Sequence, residues 1–290
     1  MSRNVTIAGA LVAASLTLTA CGTGPTEPKP WPSPSASATA EVIAAAAESS
    51  APAPKRFEWA DVTGQGVALP RDVREHTMYS AEPIPGAKIL HVINADDDMN
   101  ACSIGPAVTG TQGRGFLTGA ACTGDFGRPL QYLQTLPGGG IQGWAEAVSP
   151  GDGASVIWSS RSATDATRIA GTWPVAGVLT RDGVQQLVPI GSPVCEFGAS
   201  SGVACGLRLA DEGGKFRFDV KPGAHDIGAA VFAVDRATRS AVLIGVRAST
   251  GARGETAYLD PELGRLGAKV LLDSGTAALT GDGFSERVVK

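Results

Sequence analysis

Gly115-Phe116-Leu117-Thr118-Gly119-Ala120-Ala121-Cys122 is the stretch of this 290-residue chain that decides its fold. It begins with strand-like residues and ends at a cysteine, and another cysteine, Cys102, lies upstream. Residues 103–108 and 115–118 predict two strands, because their apolar runs are joined by a glycine-rich turn. The sequence therefore predicts a β-hairpin with a cysteine close to each of its ends.

The composition of the whole chain also favours a β-rich protein. Glycine contributes 38 residues, aromatic residues make up only 6%, and the run 241–246 is apolar throughout, as in a buried strand. With 43% hydrophobic residues, the chain can bury a large core. The 24 basic residues do not outnumber the 28 acidic ones, so no basic field is expected to bind nucleic acid.

The stretch 115–122 resembles the first-barrel signature of the chymotrypsin-like (trypsin-fold) serine proteases, in which Gly-Phe-Leu-Thr is followed by Ala-Gly-His-Cys. The resemblance implies an all-β fold, a trypsin-like double six-stranded antiparallel β-barrel with a short C-terminal helix. It also implies a disulfide between Cys102 and Cys122. Ala121 stands where the family carries its general-base histidine.

The second half of the chain carries the firmest similarity, to the bacterial branch that includes alpha-lytic protease and the streptogrisins. Residues 188–206 resemble the Gly-x-x-Val-Cys-x-x-Gly-x-x-Thr-Gly-x-x-Cys-Gly hairpin of that branch. This resemblance implies a disulfide between Cys195 and Cys205.

The segment 260–267 predicts a short helix that closes the domain. Asp260 is expected at its N-cap, Pro261 in its first turn and Gly267 at its end. The family has a short helix at the same relative point, so the resemblance covers residues 87–272 through local motifs.

The triad aspartate of the family is missing from its expected place. The bacterial branch has a Pro-Gly-Asn-Asp turn before a hydrophobic strand, whereas this chain has Pro150-Gly151-Asp152-Gly153. The aspartate position falls at Gly153, and Asp152 lies one residue early. Because a triad carboxylate must reach the far nitrogen of the imidazole, this offset predicts that no catalytic acid is present.

The nucleophile is also replaced. Aligning Val231-Phe232 with the Val-Phe of the family places Ile227 at the nucleophile and Asp226 at the aspartate before it. His225 then falls at the glycine whose N–H helps to form the oxyanion hole. An isoleucine side chain has no group that attacks a carbonyl.

The three replaced triad positions, Ala121, Gly153 and Ile227, predict an inactive protease homologue. The alternative is an active serine-type endopeptidase with a relocated or non-standard site, which requires a serine Oγ near an imidazole. The literal motif Asp273-Ser274-Gly275 follows the closing helix and is therefore in the wrong part of the fold to supply that serine.

A double barrel without its triad keeps a cleft whose edge accepts an extended peptide by strand addition. The candidate cleft residues are His225, Asp226 and Gly228. The neighbouring pair His225 and Asp226 is interpreted as a polar turn in which Asp226 buttresses the loop. The predicted partner is a peptide or protein of the cell envelope, and a purely structural role in the envelope stays open.

No metal or cofactor is predicted. The residues Asp96, Asp97 and Asp98 lack the spacing of an EF-hand loop and indicate a solvated hairpin tip. His76 and His91 are isolated histidines, and the sequence has no zinc-ligand spacing.

The N-terminus reads as an export signal. Arg3 precedes an apolar run, and Leu18-Thr19-Ala20-Cys21-Gly22 resembles the bacterial lipobox, in which the cysteine receives a lipid. Lipidation of Cys21, rather than ordinary secretion, predicts an anchor on the extracytoplasmic face of the cell membrane. It also leaves four cysteines for the two disulfides in an oxidising compartment.

These motifs predict how the chain is organised. A signal peptide at 1–20 is followed by a disordered Pro/Ser/Ala-rich tether at 21–55 and by an N-terminal extension at 56–86 that packs across the domain. The double barrel covers 87–272, with its first barrel at about 87–165 and its second at about 170–272, and a loose C-terminal tail at 273–290 follows it.

Overall fold

The computed structural model describes residues 57–92, 99–122, 132–134, 146–148, 153–159, 166–249 and 255–290. The signal peptide with Cys21, the tether, the triplet Asp96 to Asp98 and Asp152 lie outside the described residues. No helix among the described ranges is long and apolar enough to cross a membrane.

The described part of the first half consists of short strands. They are β1 (Trp59–Ala60), β2 (Lys88–Val92), β3 (Met99–Ser103), β4 (Ala107–Gly110), β5 (Gly113–Gly119), β6 (Tyr132–Gln134), β7 (Glu146–Val148) and β8 (Ala154–Trp158).

The second half adds longer strands and two short helices. In chain order they are β9 (Arg168–Ile169), β10 (Trp173–Val178), α1 (Arg181–Leu187), β11 (Pro193–Gly198), β12 (Gly202–Leu207), β13 (Ala230–Asp235), β14 (Ser240–Arg247), β15 (Thr256–Tyr258), α2 (Leu259–Leu266), β16 (Ala268–Leu271) and β17 (Val288–Val289).

These strands form two large curled sheets and one small sheet. The eight-stranded sheet has the order β12-β11-β13-β14-β10-β9, with β1 added to β13 and β15 to β14. The six-stranded sheet has the order β17-β16-β4-β5-β8-β7, and β3-β2-β6 form the third. Most pairs are antiparallel, although β10–β14 and β16–β17 are parallel. The predicted all-β fold class, with two barrel-like halves and a short closing helix, is confirmed.

Strand β14 shows why the centre of the eight-stranded sheet is so apolar. Ala241 and Leu243 contribute to the core cluster on one face, whereas Val242 and Ile244 contribute to the cluster on the other. Side chains alternate between the faces of a strand, so a sheet that is covered on both faces requires a continuous apolar run. The run 241–246 is therefore a buried central strand, as the sequence predicts.

Both predicted disulfides are present. Cys102 bonds to Cys122, and Cys195 bonds to Cys205 at directly opposed positions of β11 and β12. The first bridge fixes the end of β5 to β3, and the second one closes the hairpin that the sequence indicates most clearly.

The closing helix α2 begins earlier than predicted. Its N-cap is Tyr258, which makes no side-chain capping bond, and Asp260 lies inside the first turn. The Asp260 carboxylate instead accepts hydrogen bonds from Ser285 Oγ and Arg287 Nη1. The expected N-cap is therefore wrong, because a distant segment uses the carboxylate. Gly267 ends the helix in the left-handed conformation with φ 62°, as predicted.

The C-terminal segment 273–290 is not a loose tail. Its strand β17 pairs with β16, and Thr180 N donates to Gly283 O at 3.0 Å. Leu279 and Phe284 pack against the apolar cluster that also contains Leu179 and Val184. The segment therefore connects the six-stranded sheet to the start of α1.

The N-terminal extension runs along the eight-stranded sheet before the chain enters β2. Trp59 and Ala60 pair with β13, and Gly64 N donates to Val203 O at 2.9 Å. Farther on, Met78 N donates to Ala199 O at 2.7 Å. These bonds cover the outer edge of β12 and the turn that follows β11.

Candidate functional site

The first candidate position lies just beyond β5. Residues Ala120–Cys122 form a turn of 3-10 helix in which Ala120 and Cys122 are buried and Ala121 is exposed. The disulfide to Cys102 holds this turn in place. The methyl group of Ala121 is chemically inert, so this position supplies no base.

Gly153 lies next to that turn, because Ala120 N donates to Gly153 O at 3.1 Å. A Cβ added to Gly153 would lie 2.7 Å from the Ala257 Cβ and 2.7 Å from the Glu262 carboxylate. Glu262 Oε2 accepts a hydrogen bond from Ala154 N at 3.0 Å and forms an ion pair with Arg265. The carboxylate beside this position therefore comes from α2, and it leaves no space for a side chain at position 153.

Ile227 packs against the same end of β5. A Cβ added to Gly119 would lie 2.5 Å from Ile227 Cγ2. The backbone around Ile227 is bonded on both sides, because its carbonyl accepts from Ser103 N at 2.7 Å and Gly228 N donates to Arg247 O at 2.8 Å. The half-buried isoleucine is therefore a packing residue between the two halves.

The fold thus brings the three triad-equivalent segments together. The turn after β5 contacts Gly153 through Ala120 and approaches Ile227 through Gly119. None of the three positions carries a nucleophilic or titratable side chain.

Asp226 does not pair with His225 in a catalytic dyad. Its buried carboxylate accepts three backbone N–H groups, from Ser200 at 2.8 Å, Ser201 at 3.2 Å and Gly223 at 2.5 Å. His225 N donates to Ser200 Oγ at 3.2 Å. Asp226 therefore ties the loop 223–228 to the turn after β11, which is the buttressing interpretation of this residue.

Ser103 is a site residue that the sequence analysis missed. Its buried Oγ donates to His225 O at 2.8 Å and accepts from Ala199 N at 2.8 Å. Its carbonyl accepts from Thr118 Oγ1 at 3.0 Å. The Ser103 hydroxyl thus links β3 to the loop 223–228 and to the turn after β11. The only sequence signal for this role is that Ser103 directly follows Cys102.

Gly228 is a position of the loop whose backbone conformation requires a glycine. Its φ is 93°, and an added Cβ would clash with Ser103 O and Thr118 Oγ1. His225 is not among the positive-φ residues of the described chain. The conformational freedom of glycine is therefore used after Ile227 and not at the position that the resemblance assigns to the oxyanion hole.

A buried ion pair lies behind this loop. Glu196 and Arg247 are both 0% exposed, and Arg247 Nε donates to Glu196 Oε2 at 2.7 Å. The guanidinium also lies 4.5 Å above the ring of Phe218. Burial raises the pKa of Glu196 to about 7, with Asp226 adding to this rise and Arg247 opposing it. Desolvation thus outweighs the attraction of the guanidinium.

Two of the three histidines have described side chains. Within the described ranges, the rings of His76 and His225 make no hydrogen bond to a serine hydroxyl, and the His91 side chain is outside them. In the motif at 273–275, Asp273 accepts from Gly275 N at 3.0 Å and forms an ion pair with Arg168. Among the described residues, no group of three potential metal ligands occurs.

Neither a protein-family model nor a curated protein matches this chain. Solved structures that are similar to it include a glutamic-acid-specific serine protease that uses a histidine triad in substrate binding, with 18% identity over 64% of this chain and 99% of that one and a TM-score of 0.46. Thermobifida fusca protease A has 22% identity over 67% of this chain and 100% of its own, with a TM-score of 0.43. Cellulomonas bogoriensis chymotrypsin has 21% identity over 65% of this chain and 97% of its own, with a TM-score of 0.41. Similarities of this size assign no activity to this chain.

Proposed function

We propose that this chain is a membrane-anchored extracytoplasmic lipoprotein with an inactive trypsin-like serine protease domain that binds a peptide or protein partner in the cell envelope. The observation that carries the proposal is the meeting of the segments around Ala121, Gly153 and Ile227 at one place. A site in which these segments meet and none of the three positions carries a catalytic side chain favours binding over hydrolysis.

The chemistry argues against residual proteolysis. Acyl transfer needs a nucleophile, a base that takes its proton and a carboxylate that orients the base. Alanine, glycine and isoleucine supply none of these groups. An oxyanion hole alone accelerates hydrolysis by roughly a thousandfold over water, which is too slow for a working protease.

The anchor part of the proposal rests on the sequence. A lipid on Cys21 inserts its acyl chains at about 0.8 kcal/mol per buried methylene, and more than one chain gives stable binding. The Pro/Ser/Ala-rich segment 21–55 then spaces the domain from the bilayer. We expect Cys21→Ala to move the protein from the membrane fraction to the soluble fraction, and retention of this variant in the membrane would contradict the anchor.

The binding part is supported by how firmly the cleft residues are held. His225 is half-buried, and its backbone is bonded to Ser103 and Ser200 on either side. Asp226 and Gly228 fix the loop on both sides of Ile227. A preorganised loop of this kind binds a partner with little loss of conformational entropy.

Site-specific crosslinking in cells tests this proposal. A photo-crosslinking residue at position 225 is expected to capture a partner peptide or protein that mass spectrometry identifies. The same residue at position 76, an exposed histidine of the N-terminal extension, is the matched control and is expected to capture none of it. Equal capture at both positions would contradict binding at the cleft, and capture at neither would favour a structural role.

A further inference from the structure

Three buried ionisable side chains meet behind the loop 223–228. Glu196 of β11, Asp226 of the loop and Arg247 at the end of β14 are each 0% exposed. When all three are ionised, two carboxylates face one guanidinium, so the cluster has one excess negative charge. An uncompensated charge in the interior is costly and is commonly neutralised by proton uptake.

The two carboxylates are neighbours on one face of β11. Gly198 follows Glu196 by two positions, so the Cα hydrogen that replaces a side chain at Gly198 lies on the same face of β11 as the Glu196 side chain. A Cβ added to Gly198 would collide with the Asp226 carboxylate. Asp226 therefore occupies the space of the missing side chain, directly beside Glu196.

Glu196 also has a position for a proton. Its Oε2 accepts from Arg247, whereas its buried Oε1 has no hydrogen-bond partner within the described chain, although the Ser201 hydroxyl lies close enough to Glu196 to lower its pKa. A proton from solvent on Oε1 therefore breaks no bond that the structure contains. Arg247 Nη1 is buried and without a hydrogen-bond partner in the same described ranges.

Both neighbours of Glu196 hold the loop. Asp226 accepts the amides of Ser200, Ser201 and Gly223, and the backbone carbonyl of Arg247 accepts Gly228 N. A change in charge at Glu196 thus acts beside two of the attachments of the loop, whose other bonds run to Ser103 and Ser200.

We propose that Glu196, Asp226 and Arg247 form a proton-binding switch in which protonation of Glu196 tightens the loop 223–228 and loss of that proton loosens it. Deprotonation places a second negative charge beside Asp226, while the ion pair with Arg247 is kept. Repulsion between the two carboxylates then weakens the attachment of the loop through Asp226. The switch depends on neither the loss of catalysis nor a partner.

The surroundings favour a transition close to neutral pH. The pKa of Glu196 is raised to about 7, because burial and the charge of Asp226 raise it more than Arg247 and the Ser201 hydroxyl lower it. The positions opposite Glu196 on β12 and β13 are Ala204 and Val231, which carry no charge. Arg247 and Asp226 are therefore the charged groups that face Glu196 within the described residues.

Amide NMR between pH 5 and pH 9 tests the switch on the folded domain. The N–H resonances of Ser200, Ser201 and Gly223 report directly on the bonds to Asp226. We expect all three to shift with one midpoint near pH 7, together with the carboxyl ¹³C resonance of Glu196. In Glu196→Gln, a neutral isostere of the protonated acid, the amides are expected to keep their low-pH positions at every pH.

His225→Gln is the control, because His225 is the other ionisable side chain beside Asp226 in the same loop. The transition is expected to persist in this variant. Its loss in His225→Gln, or its persistence in Glu196→Gln, would overturn the proposal. If Glu196→Gln does not fold, the Glu196 ¹³C resonance of the unchanged protein decides, since a midpoint below pH 5 would also overturn it.

Discussion

Gly153 differs from the other two replaced positions in what the surrounding structure permits. Ala121 is exposed, so a larger side chain there meets no packed neighbour that the structure shows. Gly153 is buried, and its missing side chain leaves room for the carboxylate of Glu262 and the methyl group of Ala257. Neighbouring side chains of the fold therefore fill the space beside position 153.

Gly153→Asp is accordingly expected to destabilise the domain. The new side chain overlaps Ala257 and places a second carboxylate against Glu262, and overpacking of this kind costs about 1–3 kcal/mol. Urea unfolding measures the effect. Adding Glu262→Ala is expected to recover part of the loss, and an unchanged free energy of unfolding in Gly153→Asp would show that the site is open.

Glu196 predicts how stability depends on pH. Its pKa is raised from 4.5 to about 7 in the folded state, so the folded protein holds this proton more tightly than the unfolded chain. The resulting stabilisation is fully present below about pH 4.5 and is lost as the pH rises through about 7.

The difference in unfolding free energy between the unchanged protein and Glu196→Gln is therefore expected to fall by about 3 kcal/mol from pH 4.5 to pH 8. Urea unfolding of both proteins at several pH values measures this difference. The other titrating groups are the same in both proteins, so their contributions cancel. A difference that grows with pH would mean that the ion pair with Arg247 dominates the ionisation of Glu196.

Strands and disulfides were the elements that the sequence predicted best. The hairpin around Cys195 and Cys205 and the central strand β14 follow from local patterns of glycine, cysteine and apolar residues. The predicted start of α2 was wrong for a non-local reason, because the Asp260 carboxylate accepts hydrogen bonds from Ser285 and Arg287. No short-range pattern in the sequence indicates such a contact.

The C-terminal segment is expected to contribute to stability as an element of the fold. Phe284 packs on the apolar cluster below β14 and lies 5.7 Å from the ring of Phe57. Phe284→Ala is expected to lower the unfolding free energy by about 2–4 kcal/mol, because it leaves a cavity.

Ile190→Ala is the matched control, since this apolar side chain is 67% exposed. It is expected to change the unfolding free energy by less than about 0.5 kcal/mol. Equal effects of the two substitutions would show that the segment 273–290 does not dock in solution.

The candidate site belongs to the whole molecule, because its contacts join residues that are far apart in the chain. Ser103 bonds to His225 across 122 positions, Glu262 to Ala154 across 108, and Arg247 to Glu196 across 51. The resemblance assigns residues to the three triad positions, because those positions lie in recognisable motifs. It did not predict Ser103, Glu196 or Glu262, whose roles exist only after segments that are distant in the chain pack together.

Reaction of the purified domain with a fluorophosphonate probe, run in parallel with casein digestion, measures most directly whether the site has lost its chemistry. The expected result is no labelled serine and no cleavage, because Ala121, Gly153 and Ile227 supply no activated nucleophile. A bacterial serine protease in the same assay confirms that the probe reacts. Labelling of a serine, with labelling and casein cleavage both abolished when that serine is changed to alanine, would contradict the proposed inactive domain.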